Sequence, residues 1–127
     1  MKLLKNTVIA LSLFSVLFST AKAEANLVVS PSFYSFGSVK SGQTASMSFA
    51  VQNLSQQEIR FLNVNYSGDW SVFQFNDSCF YLMPYGTCFI HVTFVPRFSD
   101  GLNHTLNIQI NSPQGFAFAQ AIGVDAK

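Results

Sequence analysis

Few residues in this 127-residue chain could do chemistry, and their spacing narrows what that chemistry can be. The only cysteines, Cys79 and Cys88, stand too far apart for the Cys-x-x-Cys arrangement that depresses a thiol pKa in redox pairs. An even pair in an exported chain predicts a structural bridge instead. Pro84 and Gly86 lie between them and can turn the chain back. The two Cα atoms then reach the roughly 4.4–6.8 Å that a disulfide requires. Closing a loop of about ten residues stabilises by roughly 2.5–3 kcal/mol in the chain-entropy picture.

His91 and His104 raise a metal question, since imidazole is a common ligand. If the chain folds as a hairpin about Pro96–Gly101, His91 lies opposite a residue near Asn107. His91 shares strand parity with Phe89, Thr93 and Val95, whereas His104 shares it with Leu106 and Ile108, so the rings face opposite sides. No carboxylate partner is foreseen for either ring, and the ligand count falls short, so no metal and no cofactor are expected. No Gly-x-Ser-x-Gly elbow exists, and neither histidine is framed by an orienting acid, so no catalytic residue is assigned. Asp69, Asp77 and Asp100 fall in turns, where a short carboxylate ordinarily caps its own backbone. Aromatic residues remain as a functional clue. Tyr81, Tyr85, Phe89 and Phe98 are the candidate partner-binding residues, because exposed apolar patches mark interfaces and aromatics supply their hot spots.

The start of the chain sets the compartment. Lys2 and Lys5 precede an apolar run from Val8 to Phe18, and Ala21-Lys22-Ala23 offers small residues for cleavage before Glu24. This is the pattern of an export signal, so residues 1–23 are expected to be removed and residues 24–127 to form one domain. The run is short for a membrane span, and no integral span is expected after cleavage. Cleavage leaves Lys40, Arg60, Arg97 and Lys127 against six acids, a net charge of −2. There is no cationic stripe for phosphates, which argues against nucleic acid and against anionic membrane.

Period-two alternation runs through residues 27–124, and no helical period is sustained. Leu27–Pro31 reads as a short edge strand, and Gly37–Gly42 as a turn-rich connector. Ala45–Asn53 points Met47, Phe49 and Val51 to one face. Ile59–Tyr66 is read as a strand with Ile59 and Phe61 inward, and Trp70–Phe75 as a short aromatic strand. Cys88–Val95 directs Cys88, Ile90, Val92 and Phe94 to the core, and Leu102–Asn111 directs Leu106, Ile108 and Ile110 there. Phe116–Val124 closes the chain. Seven to eight short strands separated by turn chemistry predict an all-β fold, an immunoglobulin-like antiparallel β-sandwich with one disulfide. Twelve phenylalanines in residues 24–127 are plentiful for its core, and with charged residues sparse the exposed face is expected to be built largely of Ser, Asn, Gln and Thr.

Several of these segments together form a known pattern. Phe36-Gly37-Ser38-Val39, Gly42-Gln43-Thr44 and Val51-Gln52-Asn53 lead to Cys79, Leu82-Met83-Pro84-Tyr85-Gly86-Thr87-Cys88 and Val92-Thr93-Phe94-Val95-Pro96. In this order they resemble the ASPM/Hydin-type (ASH) domain, also called choice-of-anchor D, within the PapD-like and major-sperm-protein-like immunoglobulin-type sandwiches. Tyr85 departs from the pattern, standing where the family usually has a small residue. The resemblance implies a sandwich that acts in assemblies and brings no catalytic site.

The expected function is therefore an exported, non-enzymatic module, secreted or periplasmic in a bacterium, that binds a protein partner or serves a structural role. One alternative is a pilus- or chaperone-type component exchanging a strand, with Leu27-Val28-Val29 or Phe116–Val124 as the detachable segment. Another is a small carbohydrate-binding or hydrolytic protein, for which Trp70 is the only indole platform.

Overall fold

Alternating side chains can bury one face only if two sheets press together, and eight strands do so here. The computed structural model describes residues 27–127. The expected export signal at residues 1–23 lies outside them. The strands are β1 (Leu27–Ser30), β2 (Phe33–Lys40), β3 (Ala45–Asn53), β4 (Asn63–Gly68), β5 (Phe73–Asp77), β6 (Thr87–Phe94), β7 (Asn103–Ser112) and β8 (Gly115–Ala126). One sheet has the order β1-β3-β6-β5 and the other β2-β8-β7-β4. Every pairing is antiparallel except β2 with β8, which is parallel. Among the described residues no helix is long and apolar enough to cross a membrane.

The core follows the predicted parity where strands are long. Phe49 and Val51 on β3, Ile90, Val92 and Phe94 on β6, and Leu106, Ile108 and Ile110 on β7 are essentially inaccessible to solvent. Phe94 lies at the centre of an aromatic group, 5.2 Å from Phe73 and 5.9 Å from Phe36 between ring centroids. Along its middle β8 presents small residues inward: Ala119, Ala121 and Gly123 are buried. Gly123 has to be small, since a Cβ there would lie 2.4 Å from a ring carbon of Phe94.

Several expectations change. β6 and β7 do not form a hairpin: residues 95–102 carry the chain from one sheet to the other, and β6 pairs with β3 and β5 instead. The connector expected at Gly37–Gly42 is partly strand, since β2 runs to Lys40. The strand expected at Ile59–Tyr66 begins at Asn63, with Ile59 making only an isolated bridge to Leu82. Phe61, expected inward, is 80% exposed because its φ of 59° turns the side chain out of the strand path. The aromatic strand starts at Phe73, leaving Trp70 in the preceding turn. β8 is flanked on both sides, so Phe116–Val124 is not a detachable edge, whereas β1 does lie at an edge.

The twelve phenylalanines of residues 24–127 divide between core and surface. Phe49, Phe73 and Phe94 are buried and Phe36 and Phe75 partly so. The other seven, Phe33, Phe61, Phe80, Phe89, Phe98, Phe116 and Phe118, are all exposed.

Candidate functional site

The two ends of the sandwich are built differently. At one end β3 stops at Asn53 and β6 starts at Thr87, and the loops leading from and to them are zipped together. Tyr85 N–H donates to Ser55 O at 3.2 Å, Ile59 and Leu82 exchange bonds at 2.8 and 2.9 Å, and Leu62 N–H donates to Phe80 O at 3.2 Å. Asn53, fully buried, is the clamp: its amide donates to Gln57 O at 2.7 Å and Met83 O at 3.1 Å. Its Oδ1 accepts from Ser55 N–H and Oγ–H at 3.0 and 2.8 Å. The disulfide Cys79–Cys88 fastens the base of the second loop, with a Cα–Cα distance of 5.3 Å and both cysteines buried. Glu58 of the first loop accepts from Tyr81 Oη–H at 2.7 Å and from Arg60, and those two hydrogen bonds, Tyr81 first, hold its carboxyl below the usual range.

This end carries a ribbon of exposed apolar side chains: Leu54, Phe61, Phe80, Tyr81, Met83 and Tyr85. The loops beneath are pinned by main-chain bonds, so the rings stand on a fixed platform. Two of them are held at a conformational cost. Phe61 and Tyr85 both have φ of 59°, the left-handed region in which a bulky L-residue is an outlier. Tyr85 occupies the position of the turn where a small residue is the usual choice, so its ring is presented despite the backbone penalty.

The four candidate aromatics do not form one site. Tyr81 and Tyr85 lie on the zipped loops, and Phe89 on the outer face of β6, opposite Ala50 of β3. Phe98 belongs to the other end of the sandwich, in the crossover that follows β6. Phe61, Phe80 and Met83 complete the ribbon. Strand parity had assigned Phe61 to the core, and only the left-handed turn at that residue reverses it.

The opposite end is polar. Asp125, near the end of β8 and inaccessible to solvent, organises the crossover: its carboxylate accepts from the N–H groups of Arg97, Phe98 and Ser99 at 3.1, 2.8 and 2.9 Å, and from Ser41 Oγ at 3.2 Å. Burial works against its charge, but those backbone donors, Phe98 first, outweigh it and keep the group acidic. Beside it His104 is buried between two carboxylates, Nδ1 toward Asp69 and Nε2 3.1 Å from Asp100. Both ring nitrogens face carboxylate oxygens, an arrangement that favours the doubly protonated ring. Burial disfavours that charge, but the hydrogen bonds to Asp69 and Asp100 prevail and hold the pKa above 6.5. The bond from His104, joined by that from Ser71, holds Asp69 below its ordinary range.

This corrects the expectation that no acid flanks either histidine. Asp69 arrives because the end of β4 presses on β7: Gly68, with φ of 112°, leaves no room for a Cβ against Thr105 O, and Asp69 N–H donates to that same oxygen at 2.9 Å. Asp100, His104 and Asp125 also approach one another closely enough to suggest a metal. Their donor atoms are already engaged with backbone N–H groups, Ser41 and each other, as in a structural polar cluster. His91 is exposed and bonded through Nδ1 to Ser48 Oγ at 2.6 Å.

Comparison with known proteins agrees with this architecture. The chain is 13% identical to the ASH/PapD-like domain of human CEP192 (PapD-like domain 7), with a TM-score of 0.60 over 83% of this chain and 88% of that one. A protein of unknown function from Porphyromonas gingivalis W83 is 13% identical with a TM-score of 0.57, covering 80% of this chain and 48% of that one. WR4, a C. elegans MSP family member, is 10% identical with a TM-score of 0.53, over 76% of this chain and 96% of that one. At such identities the likeness is one of fold. No curated protein matches the sequence at a significant level. The resemblance read from the paired-cysteine segment is met, and the fold fits a binding or structural module. The model of the HYDIN/CFA65/VesB-like Ig-like domain matches residues 25–120, and the chain belongs to that family.

Proposed function

We propose that this protein is an exported, non-enzymatic module that binds a protein partner through the apolar ribbon on its zipped loops. The carrying observation is the pair Phe61 and Tyr85, bulky, exposed and both in the left-handed region. Strain of this kind clusters where a fold presents a side chain to a ligand. The ribbon has the aromatic content of a binding hot spot, on loops that lose little further freedom when they bind. Removal of residues 1–23 places the domain in the periplasm or outside the cell, the compartments in which a Cys79–Cys88 bridge persists.

The test exploits the same backbone geometry. Phe61→Gly and Tyr85→Gly remove the rings where glycine suits the φ, so the fold survives. Wild-type protein immobilised on a resin is expected to retain a discrete partner from a periplasmic or culture extract, and the double variant to lose it at unchanged melting temperature. Retention of the same protein by the double variant overturns the proposal.

A second reading, strand exchange, draws support from β1. It is a four-residue edge strand with Val29 as its only buried residue. On that reading, deletion of residues 24–30 leaves a folded domain that no longer assembles. An unfolded product excludes it.

A further inference from the structure

We infer that the outer face of the β2-β8-β7-β4 sheet is a binding site for a neutral oligosaccharide, separate from the ribbon at the sandwich end. A cleft of about 470 Å³ lies on this face, within the size range of small-ligand sites. Its lining holds no charged residue. Cross-strand register stacks amide side chains across it: Asn65 of β4 faces Gln109 of β7, and Asn107 of β7 faces Gln120 of β8.

These amides are only partly spent on one another. Gln120 Nε2 donates to Asn107 Oδ1 at 2.9 Å, and Gln109 Nε2 to Asn111 Oδ1 at 3.0 Å. That leaves Asn107 Nδ2, the Oε1 atoms of Gln109 and Gln120, and both polar atoms of Asn65 without a protein partner among the described residues. Donors and acceptors thus alternate across the cleft. Phe118, beside Gln109, is 55% exposed and braced edge-to-face against Phe116, with centroids 5.2 Å apart at 72°.

The chemistry selects the ligand. An ionic ligand finds no countercharge here, and a hydrocarbon chain would leave the amides desolvated and unpaired. A neutral sugar brings hydroxyls that donate and accept at once, matching paired amide groups. Its C–H face presents the positive edge that the negative face of a phenyl ring attracts. Trp70 plays no part, since it does not line the cleft.

The experiment is a titration of the isotopically labelled 24–127 protein, followed by amide chemical shifts, with uncharged hexasaccharides of glucose, mannose, xylose and N-acetylglucosamine. A hexamer of galacturonic acid is the charged control. At least one neutral hexasaccharide is expected to bind at micromolar to millimolar concentration, moving the side-chain amides of Asn65, Gln109 and Gln120. Asn65→Ala combined with Gln109→Ala should weaken it by about tenfold or more. Phe118→Ala, an exposed substitution that spares the amides, should weaken the same titration and serves if the double variant misfolds. No binding by any neutral hexasaccharide at 10 mM or so, unchanged affinity in these variants, or equal binding of the acidic hexamer overturns the inference.

Discussion

Removing the Cys79–Cys88 bridge, as Cys79→Ala with Cys88→Ala, tests how the zipped end is held. The bridge spans a sequence separation of nine, so it closes one of the shorter loops for which a disulfide is useful. Loop-closure entropy for about ten residues at 25 °C gives a loss of roughly 2.5–3 kcal/mol, acting through the unfolded chain. For a domain near one hundred residues this lowers the melting temperature by about 10–20 °C. The denaturant m-value should rise, because the unlinked unfolded chain exposes more surface. The folded loop, by contrast, should keep its place: Asn53, the Ile59–Leu82 bonds and the Leu62–Phe80 bond hold it without the sulfurs. Equilibrium urea unfolding of wild type and variant, with hydrogen exchange at the Leu82 and Gly86 amides under native conditions, separates the two contributions. A stability loss under about 1 kcal/mol would refute the entropic account. So would collapse of amide protection at Leu82 while the sheets remain folded, since the staple would then be holding the native loop rather than restricting the unfolded one.

Other consequences are as direct. Gly123→Ala drives a methyl into the Phe94 ring and should cost about 1–3 kcal/mol by chemical denaturation, with Phe94→Leu recovering part of it. Asn53→Ala removes one of the two donors to each of the Gln57 and Met83 carbonyls, which keep Ser55 Oγ–H and Gly86 N–H, and strips the Ser55 N–H of its acceptor; it should cost about 1–3 kcal/mol, with increased exchange at the Ser55 amide. The His104 pKa is raised in the fold, so its contribution is complete below the unfolded value near 6.5 and is lost as pH climbs through the folded value. Asp69 is lowered, so its share is present above about 3.9 and disappears on acidification below that. Urea midpoints should therefore be highest between these limits, and His104→Asn should flatten the decline on the alkaline side.

Long strands with strict alternation announced themselves in the sequence. β3, β6 and β7 bury the residues that parity assigns, because a one-residue slip would turn a whole apolar row to solvent. The cysteine pair was equally readable, from spacing and an intervening Pro-x-Gly turn. What escaped depended on contacts far apart in sequence. Nothing local says that β6 and β7 part into different sheets, yet that crossover brings Asp100 and Asp125 together at one end. Asp69 reaches His104 from thirty-five positions away through the β4–β7 pairing, which neither residue's neighbours reveal. Phe61 failed for a backbone reason, since period-two reading assumes extended φ throughout and one left-handed residue inverts the direction. The apolar ribbon was therefore only partly visible: Tyr81 and Tyr85 stood out beside the turn, while strand parity assigned Phe61 to the core.

The zipped-loop end is proposed to engage a protein partner after export. A photo-crosslinking amino acid placed at Phe80, on the ribbon, and separately at Ser46, on the outer face of β3, tests it in living cells. One discrete protein adduct is expected from position 80, found in the periplasmic or extracellular fraction, and none from position 46. No adduct at position 80, or the same adduct from both positions, would contradict it.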